Sequence, residues 1–311
     1  MLYPEFEKLL KLGYRASNLN LMSQRRVRSI VSGDHRSPFR GKGLDFEEVR
    51  HYAQGDDVRN IDWRVTARTG RPHIKLFTEE RERSVLICTD VNHTMRFGTR
   101  GTFKSIQAAQ AAALLGWAAS RENNRVGGSF FGNVPDGMMF LDPVRTRRSL
   151  WRILKQLCDR GDYHSDPVQL EDHLRYLNKA VPSGGLFFII SDFISITADL
   201  KKRISDLHRK ADVVLVAVND PADKYLPSVG PLIFKDGNNE TVTIDTSDKK
   251  GGRAYERLWA ENRKWLENTV NSLGLGYLSL TTEGDAYFDL ANGLKRLGSK
   301  GGGNGRPAFA A

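Results

Sequence analysis

Cysteine is almost absent: the 311 residues include two, Cys88 and Cys158. That excludes a disulfide framework and a cysteine-rich zinc site. Cys88 lies in an apolar strand-like run and Cys158 in a helical pattern, the settings of reduced core thiols. Long hydrophobic runs are missing too. The longest, Ala108–Ala119, spans 12 residues and contains Gln110, short of the roughly 20 that cross a bilayer. The opening Met1-Leu-Tyr-Pro-Glu-Phe-Glu-Lys8 lacks the basic-then-apolar order of a signal peptide, so the expected compartment is the cytoplasm. The seven histidines never fall at the spacing that places metal ligands on one helix face, which argues against a zinc enzyme. Gly-x-Ser-x-Gly and phosphate-loop motifs are absent, as are internal repeats.

Apolar residues make up 40% of the chain and aromatics 9%, enough for one sizeable core and a smaller satellite. The formal net charge is +10, and residues 1–83 hold 17 Lys and Arg against 12 Asp and Glu. A basic protein suits nucleic acid, an anionic membrane or an acidic partner. The carboxylates interleaved through 45–62 repel phosphates and weigh against nucleic acid.

From residue 84 the pattern alternates between short β-rich runs and longer helical ones, which predicts an open α/β sheet. Strands are expected at 84–90, 126–131, 137–141, 186–191, 213–218 and 276–280, with a weaker pair at 231–235 and 240–244. Gly132-Asn-Val-Pro-Asp136 between the second and third marks a hairpin, so the sheet is expected to be mainly parallel with one antiparallel edge strand. Helices are expected near 102–122, 146–159, 167–180, 197–209 and 252–272, with one more at the end. Residues 298–311 are Gly-rich and expected to be disordered. The first 83 residues read as a separate small α+β module: an amphipathic helix over Phe6–Asn18, a basic Arg25-Arg-Val-Arg28, a Gly, Pro and Arg-rich loop over 33–43, and β-like pieces around Trp63 and at His73–Phe77.

Two apolar strands end in carboxylates. Asp90 opens Asp90-Val-Asn-His-Thr94, and Asp192 closes Leu186-Phe-Phe-Ile-Ile-Ser-Asp192. In open α/β sheets, ligands bind beyond the carboxyl ends of the strands. If the strands are neighbours, the two carboxylates meet, and with neutral oxygens from Asn92 and Thr94 they offer a hard-oxygen site for Mg²⁺ or Mn²⁺. The competing reading is that both aspartates cap the helices after their strands.

The strand order, the hairpin and the two strand-terminal aspartates resemble the von Willebrand factor A fold, whose metal-ion-dependent adhesion site uses Asp-x-Ser-x-Ser, a later Thr and a later Asp. The resemblance implies a ligand set of Asp90, Asn92, Thr94, Ser165 and Asp192. Asn92 is longer than the serine it replaces, so a weakly bound ion is expected. Upstream, Arg36-Ser-Pro-Phe-Arg-Gly-Lys-Gly-Leu-Asp-Phe46 and Arg50-His-Tyr-Ala-Gln-Gly-Asp-Asp-Val-Arg-Asn-Ile-Asp-Trp-Arg-Val-Thr-Ala-Arg68, continued by Lys75-Leu-Phe-Thr-Glu-Glu-Arg81, are similar to the hallmark of the bacterial family called "domain of unknown function 58". That likeness spans roughly residues 25–295. It implies a von Willebrand factor A-like sheet over 84–297 behind the module of 1–83, partnership with a MoxR-type AAA+ ATPase, an unknown client protein, a role in assembly or maturation, and no catalysis.

The density of charge in Gly55–Arg64 favours an ion-pair network around Trp63. Arg59, Arg64 and Arg68 either face an acidic partner or hold the module onto the larger domain. An enzymatic alternative is a haloacid dehalogenase-like phosphatase, whose first motif is a strand followed by Asp-x-Asp-x-Thr. Asn92 stands where that motif needs a general acid.

Overall fold

A computed structural model describes residues 3–21, 44–53, 56, 58–79, 83–161, 163, 168–181, 183–194, 196–235 and 241–299. In chain order its elements are α1 (Phe6–Arg15), β1 (Leu44–His51), α2 (Trp63–Thr69), β2 (His73–Glu79), β3 (Ser84–Val91), α3 (Lys104–Arg121), β4 (Arg125–Gly132), β5 (Met138–Val144), α4 (Arg147–Leu157) and α5 (Leu170–Ala180). There follow β6 (Leu186–Ser191), α6 (Ala198–His208), β7 (Asp212–Asn219), α7 (Pro221–Lys224), β8 (Pro231–Lys235), β9 (Thr241–Asp245), α8 (Lys249–Leu273), β10 (Gly276–Thr281) and α9 (Ala286–Ser299).

The central strands are apolar on both faces because both faces are covered. In β3, Val85 and Ile87 enter one core while Leu86 and Cys88 enter the other; in β6, Leu186, Phe188 and Ile190 oppose Phe187 and Ile189 in the same way. Helices α1, α3, α4 and α9 contribute to the first core, and α5, α6 and α8 to the second. The sheet runs β10-β7-β6-β3-β4-β5. Every pairing is parallel except β4 with β5, so the expected hairpin and antiparallel edge strand are present. Strands β8 and β9 form a separate antiparallel pair.

The division of the chain differs from a single module over 1–83. The two compact units are Met1–Val31 with Arg83–Ala311, and Ser32–Glu82. Helix α1 belongs to the larger unit because its apolar face is spent there: Leu9, Ala16, Leu19 and Leu21 are buried in the first core, and Trp117 Nε1 donates to the Leu9 carbonyl at 3.2 Å. At the end of the helix, Arg15 grips Asp285 through both guanidinium nitrogens, at 2.9 and 3.1 Å.

In the smaller unit β1 and β2 pair antiparallel. The expected β-like piece around Trp63 is instead helix α2. Asp62 caps it, accepting from the amides of Arg64 and Val65 at 3.0 and 3.2 Å, and Gly70 closes it in the left-handed region at φ 69°, the usual start and stop of a helix. Trp63 is 72% exposed, so it does not anchor a network; Arg50 pairs with Asp56, bidentate at 2.9 and 2.7 Å. Residues 22–43, which include Arg25–Arg28, and 300–311 of the tail lie outside the described residues.

Candidate functional site at the carboxyl edge of the sheet

Asp90 and Asp192 occupy adjacent strand ends. In the β3–β6 register Thr89 stands opposite Ile190, which sets Asp90 beside Ser191. The Ser191 hydroxyl donates to Asp90 Oδ2 at 2.7 Å. The other oxygen of Asp90 accepts from the backbone amide and the side-chain Nδ2 of Asn92, both at 2.9 Å. This is a local Asx-type turn, and Asn92 turns its amide hydrogens toward Asp90. Gly132, at φ 107° at the end of β4, lets the turn sit close: a Cβ there would meet the Asn92 nitrogen at 2.6 Å.

Asp192 faces a residue that the sequence reading missed. Lys104, the first residue of α3, is 1% exposed. Its Nζ donates to Asp192 Oδ2 at 2.9 Å and to Asp223 Oδ1 at 3.1 Å, and lies 5.5 Å from the centroid of the Phe97 ring. Asp223 sits in the short helix α7 and also accepts from the Asp220 amide at 2.8 Å. Burial acts to lower the Lys104 pKa, but the Asp192 and Asp223 carboxylates outweigh it and keep the ammonium charged. The Asp90 carboxyl is pushed up to about 7, first by burial and then by the Asp192 charge, against the hydrogen bonds from Ser191 and Asn92.

Thr94 is exposed on a 3₁₀ turn, His93–Arg96, beside the equally exposed His93. Ser165 lies outside the described residues. The structure thus brings Asp90, Asn92 and Asp192 to one edge and leaves Thr94 on its rim. A cavity of about 40 Å³ lies beneath, lined by Asp90, Asn92, Thr89 and Ser105 among others. The hydroxyls of Thr89 and Ser105 are buried without a hydrogen-bond partner among the described residues. Such a space is large and polar enough to take a water.

These contacts do not make a preformed divalent-ion site. Both oxygens of Asp90 are engaged within the protein, Asp192 is paired with a buried ammonium, and Asn92 directs donors at the carboxylate it was expected to assist. Among the described residues the cation paired with the Asp192 carboxylate is Lys104, and Arg263 Nη2 donates to the Asp192 carbonyl at 2.8 Å. The sequence signal for Lys104 was slight: a single lysine opening an Ala-rich helix, and a third strand, Val213–Val218, followed by Asp220 and Asp223.

Arg64 and Arg68 are exposed on α2 in the smaller unit, and Arg59 lies in the preceding 3₁₀ turn, Val58–Asn60.

Over residues 48–265 the chain matches the family described as "Protein of unknown function DUF58". Uncharacterized proteins of Mycobacterium bovis and Mycobacterium tuberculosis are each 28% identical over 289 residues, covering 90% of this chain and 88% of theirs. Among solved structures, the conserved hypothetical protein BatB from Bacteroides thetaiotaomicron superposes with a TM-score of 0.41 at 12% identity, over 70% of this chain and 99% of that one. An aerotolerance-related membrane protein from Bacteroides fragilis gives the same TM-score of 0.41, identity of 12% and coverage of 70% and 99%. Among the described residues no helix is long and apolar enough to cross a membrane.

Proposed function

This chain belongs to the DUF58 family of proteins of unknown function, and from that premise we propose that it is a non-enzymatic interaction module. Its larger unit is read as a von Willebrand factor A-like domain that works with a MoxR-type AAA+ ATPase in the assembly or maturation of a client protein. The docking edge is the carboxyl end of the sheet, where Asn92, His93 and Thr94 form the rim over Asp90.

The observation that carries this reading is the buried charge cluster of Lys104, Asp192 and Asp223 beside Asp90, at the one edge where an open α/β sheet presents ligands. Buried ion pairs are poor contributors to stability, and perturbed carboxyls gather at functional sites. The lysine supplies the positive charge that a metal ion supplies in an adhesion site, so any Mg²⁺ or Mn²⁺ binds weakly and folding does not depend on it. Against phosphatase chemistry stand Asn92 in the general-acid position and the commitment of both Asp90 oxygens to hydrogen bonds.

The test is the affinity of the purified full chain for the MoxR-type ATPase of the same organism, with and without ATP. Thr94→Arg, which places a bulky charge on the rim, is expected to weaken binding at least tenfold, whereas Arg64→Glu with Arg68→Glu leaves it within about twofold, a change of under 0.5 kcal/mol. Loss of binding in the arginine variant with none in Thr94→Arg overturns the assignment and moves the interface to the smaller unit.

A further inference from the structure

At the opposite end of the sheet from Asp90, the larger unit carries a groove of about 1060 Å³ between α1, the end of α3 and the start of α4. Its lining is sharply divided in chemistry. The floor is apolar, with Leu10 and Trp117 from the helices and Val126 and Val144 from the strand ends. The rim carries four cations, Lys11, Arg121, Arg145 and Arg147, and among the described residues the lining contains no Asp or Glu. Two aromatic side chains stand open at its borders: Tyr14 is 87% exposed and Trp151 46%. The rim gains further positive potential from the amino terminus of the 11-residue helix α4, which Arg147 begins.

We propose that this groove is a docking site for an acidic amphipathic segment of a partner protein, which lays its apolar side chains on Trp117, Trp151 and Leu10 and its carboxylates against Arg121 and Arg147. An apolar floor with a rim of one charge is the arrangement that receives an amphipathic peptide, and Trp, Tyr and Arg are the residues on which interface energies concentrate. The site is distinct from the carboxyl edge and does not depend on the reading given to that edge.

Charge selects the occupant. The two longest stretches of the chain outside the described residues are themselves basic: 22–43 holds six Lys and Arg against one Asp, and 300–311 holds Lys300 and Arg306 with no acid. Either would be repelled by this rim. Single-stranded nucleic acid also meets cations and aromatics favourably, but its bases are held by stacking on aromatic faces. Here much of the floor is aliphatic, which suits leucine-like side chains better than bases.

The test is fluorescence anisotropy with the full chain and a labelled 15-residue synthetic peptide, Leu and Phe at positions i, i+3, i+4 and i+7 and Glu elsewhere. A second peptide has Lys at every Glu position, and a labelled oligo(dT) of similar length is the third probe. The Glu peptide is expected to bind, to quench or shift tryptophan emission, and to weaken as salt is raised through the range where the Debye length falls from about 30 Å to 8 Å. Arg121→Glu with Arg147→Glu is expected to weaken it at least tenfold, and Trp151→Ala at least fivefold, each variant keeping the wild-type circular dichroism spectrum. Equal binding of the Glu and Lys peptides, wild-type affinity in the double arginine variant, or binding of oligo(dT) in preference to the Glu peptide each overturns the proposal.

Discussion

Lys104 is a buried ammonium shared by two buried carboxylates. Its ammonium sits between Asp192 and Asp223, both nearly inaccessible to water, so removing it takes from these two buried carboxylates the ammonium that pairs both. Lys104→Met is expected to lower the unfolding free energy by about 3–5 kcal/mol, the effect of breaking a buried pair, as measured by urea denaturation at pH 7. Adding Asp192→Asn to the same variant should restore part of that loss, because one uncompensated charge goes with it. Two other buried groups make opposing contributions to pH dependence. Burial holds the His173 imidazole down to about 4 against 6.5 in the unfolded chain. Between those values the unfolded state binds the extra proton, so this contribution to stability is full above pH 6.5 and is lost as pH falls toward 4. Asp90 works the other way: burial and then the Asp192 charge hold its folded carboxyl above the ordinary value of 3.8, so the folded state holds the extra proton and stability is lost as pH rises from 3.8 through the raised folded value. Between the folded and unfolded values of the two groups these contributions oppose each other. His173→Gln, which retains a partner for Ser129, should therefore lose stability as pH rises, and Asp90→Asn as pH falls. Identical pH profiles for the two variants would contradict this assignment. Asp90 and Asp192 were legible in the sequence because each ends an apolar strand, at the edge where an open α/β sheet presents ligands. Lys104 was not, because a lysine at a helix start ordinarily reads as solvated.

At the level of elements, what could be read depended on how regularly each buried its side chains. The run 186–191 was predicted as the strand it forms, and the expected runs at 84–90 and 213–218 are one residue shorter at one or both ends than β3 and β7, because both faces of each are apolar. Strand β1 escaped notice for a physical reason: a register shift between Phe46 and Glu48 breaks the period-two alternation, as a bulge does. Helix α2 was misread although Asp62 and Gly70 bracket it. Asp62→Ala is expected to destabilise that helix by about 1 kcal/mol, seen as faster amide exchange over 63–69. Gly132 couples β4 to the site. A side chain there meets the Asn92 backbone at 2.6 Å in a left-handed conformation, so Gly132→Ala should destabilise the protein by roughly 1–3 kcal/mol and shift the NMR resonances of Asn92 and Thr94. Unchanged resonances would show that the turn does not rest on this glycine.

For the molecule as a whole, the sheet and its helical layers followed from the sequence, but the boundary between the two units did not. The N-terminal helix was grouped with its sequence neighbours, whereas the larger unit buries Leu9, Ala16, Leu19 and Leu21, making it discontinuous around residues 32–82. The proposed function places docking on the carboxyl edge with a lysine as its resident cation. The most direct test is the affinity of the full chain for the MoxR-type ATPase, titrated once in excess chelator and once in excess Mn²⁺. The account predicts the same affinity in both, with Thr94→Arg weakening it equally in each. Binding that appears only with Mn²⁺ and vanishes in chelator would contradict it, because the edge would then depend on an ion that Lys104 is held to replace.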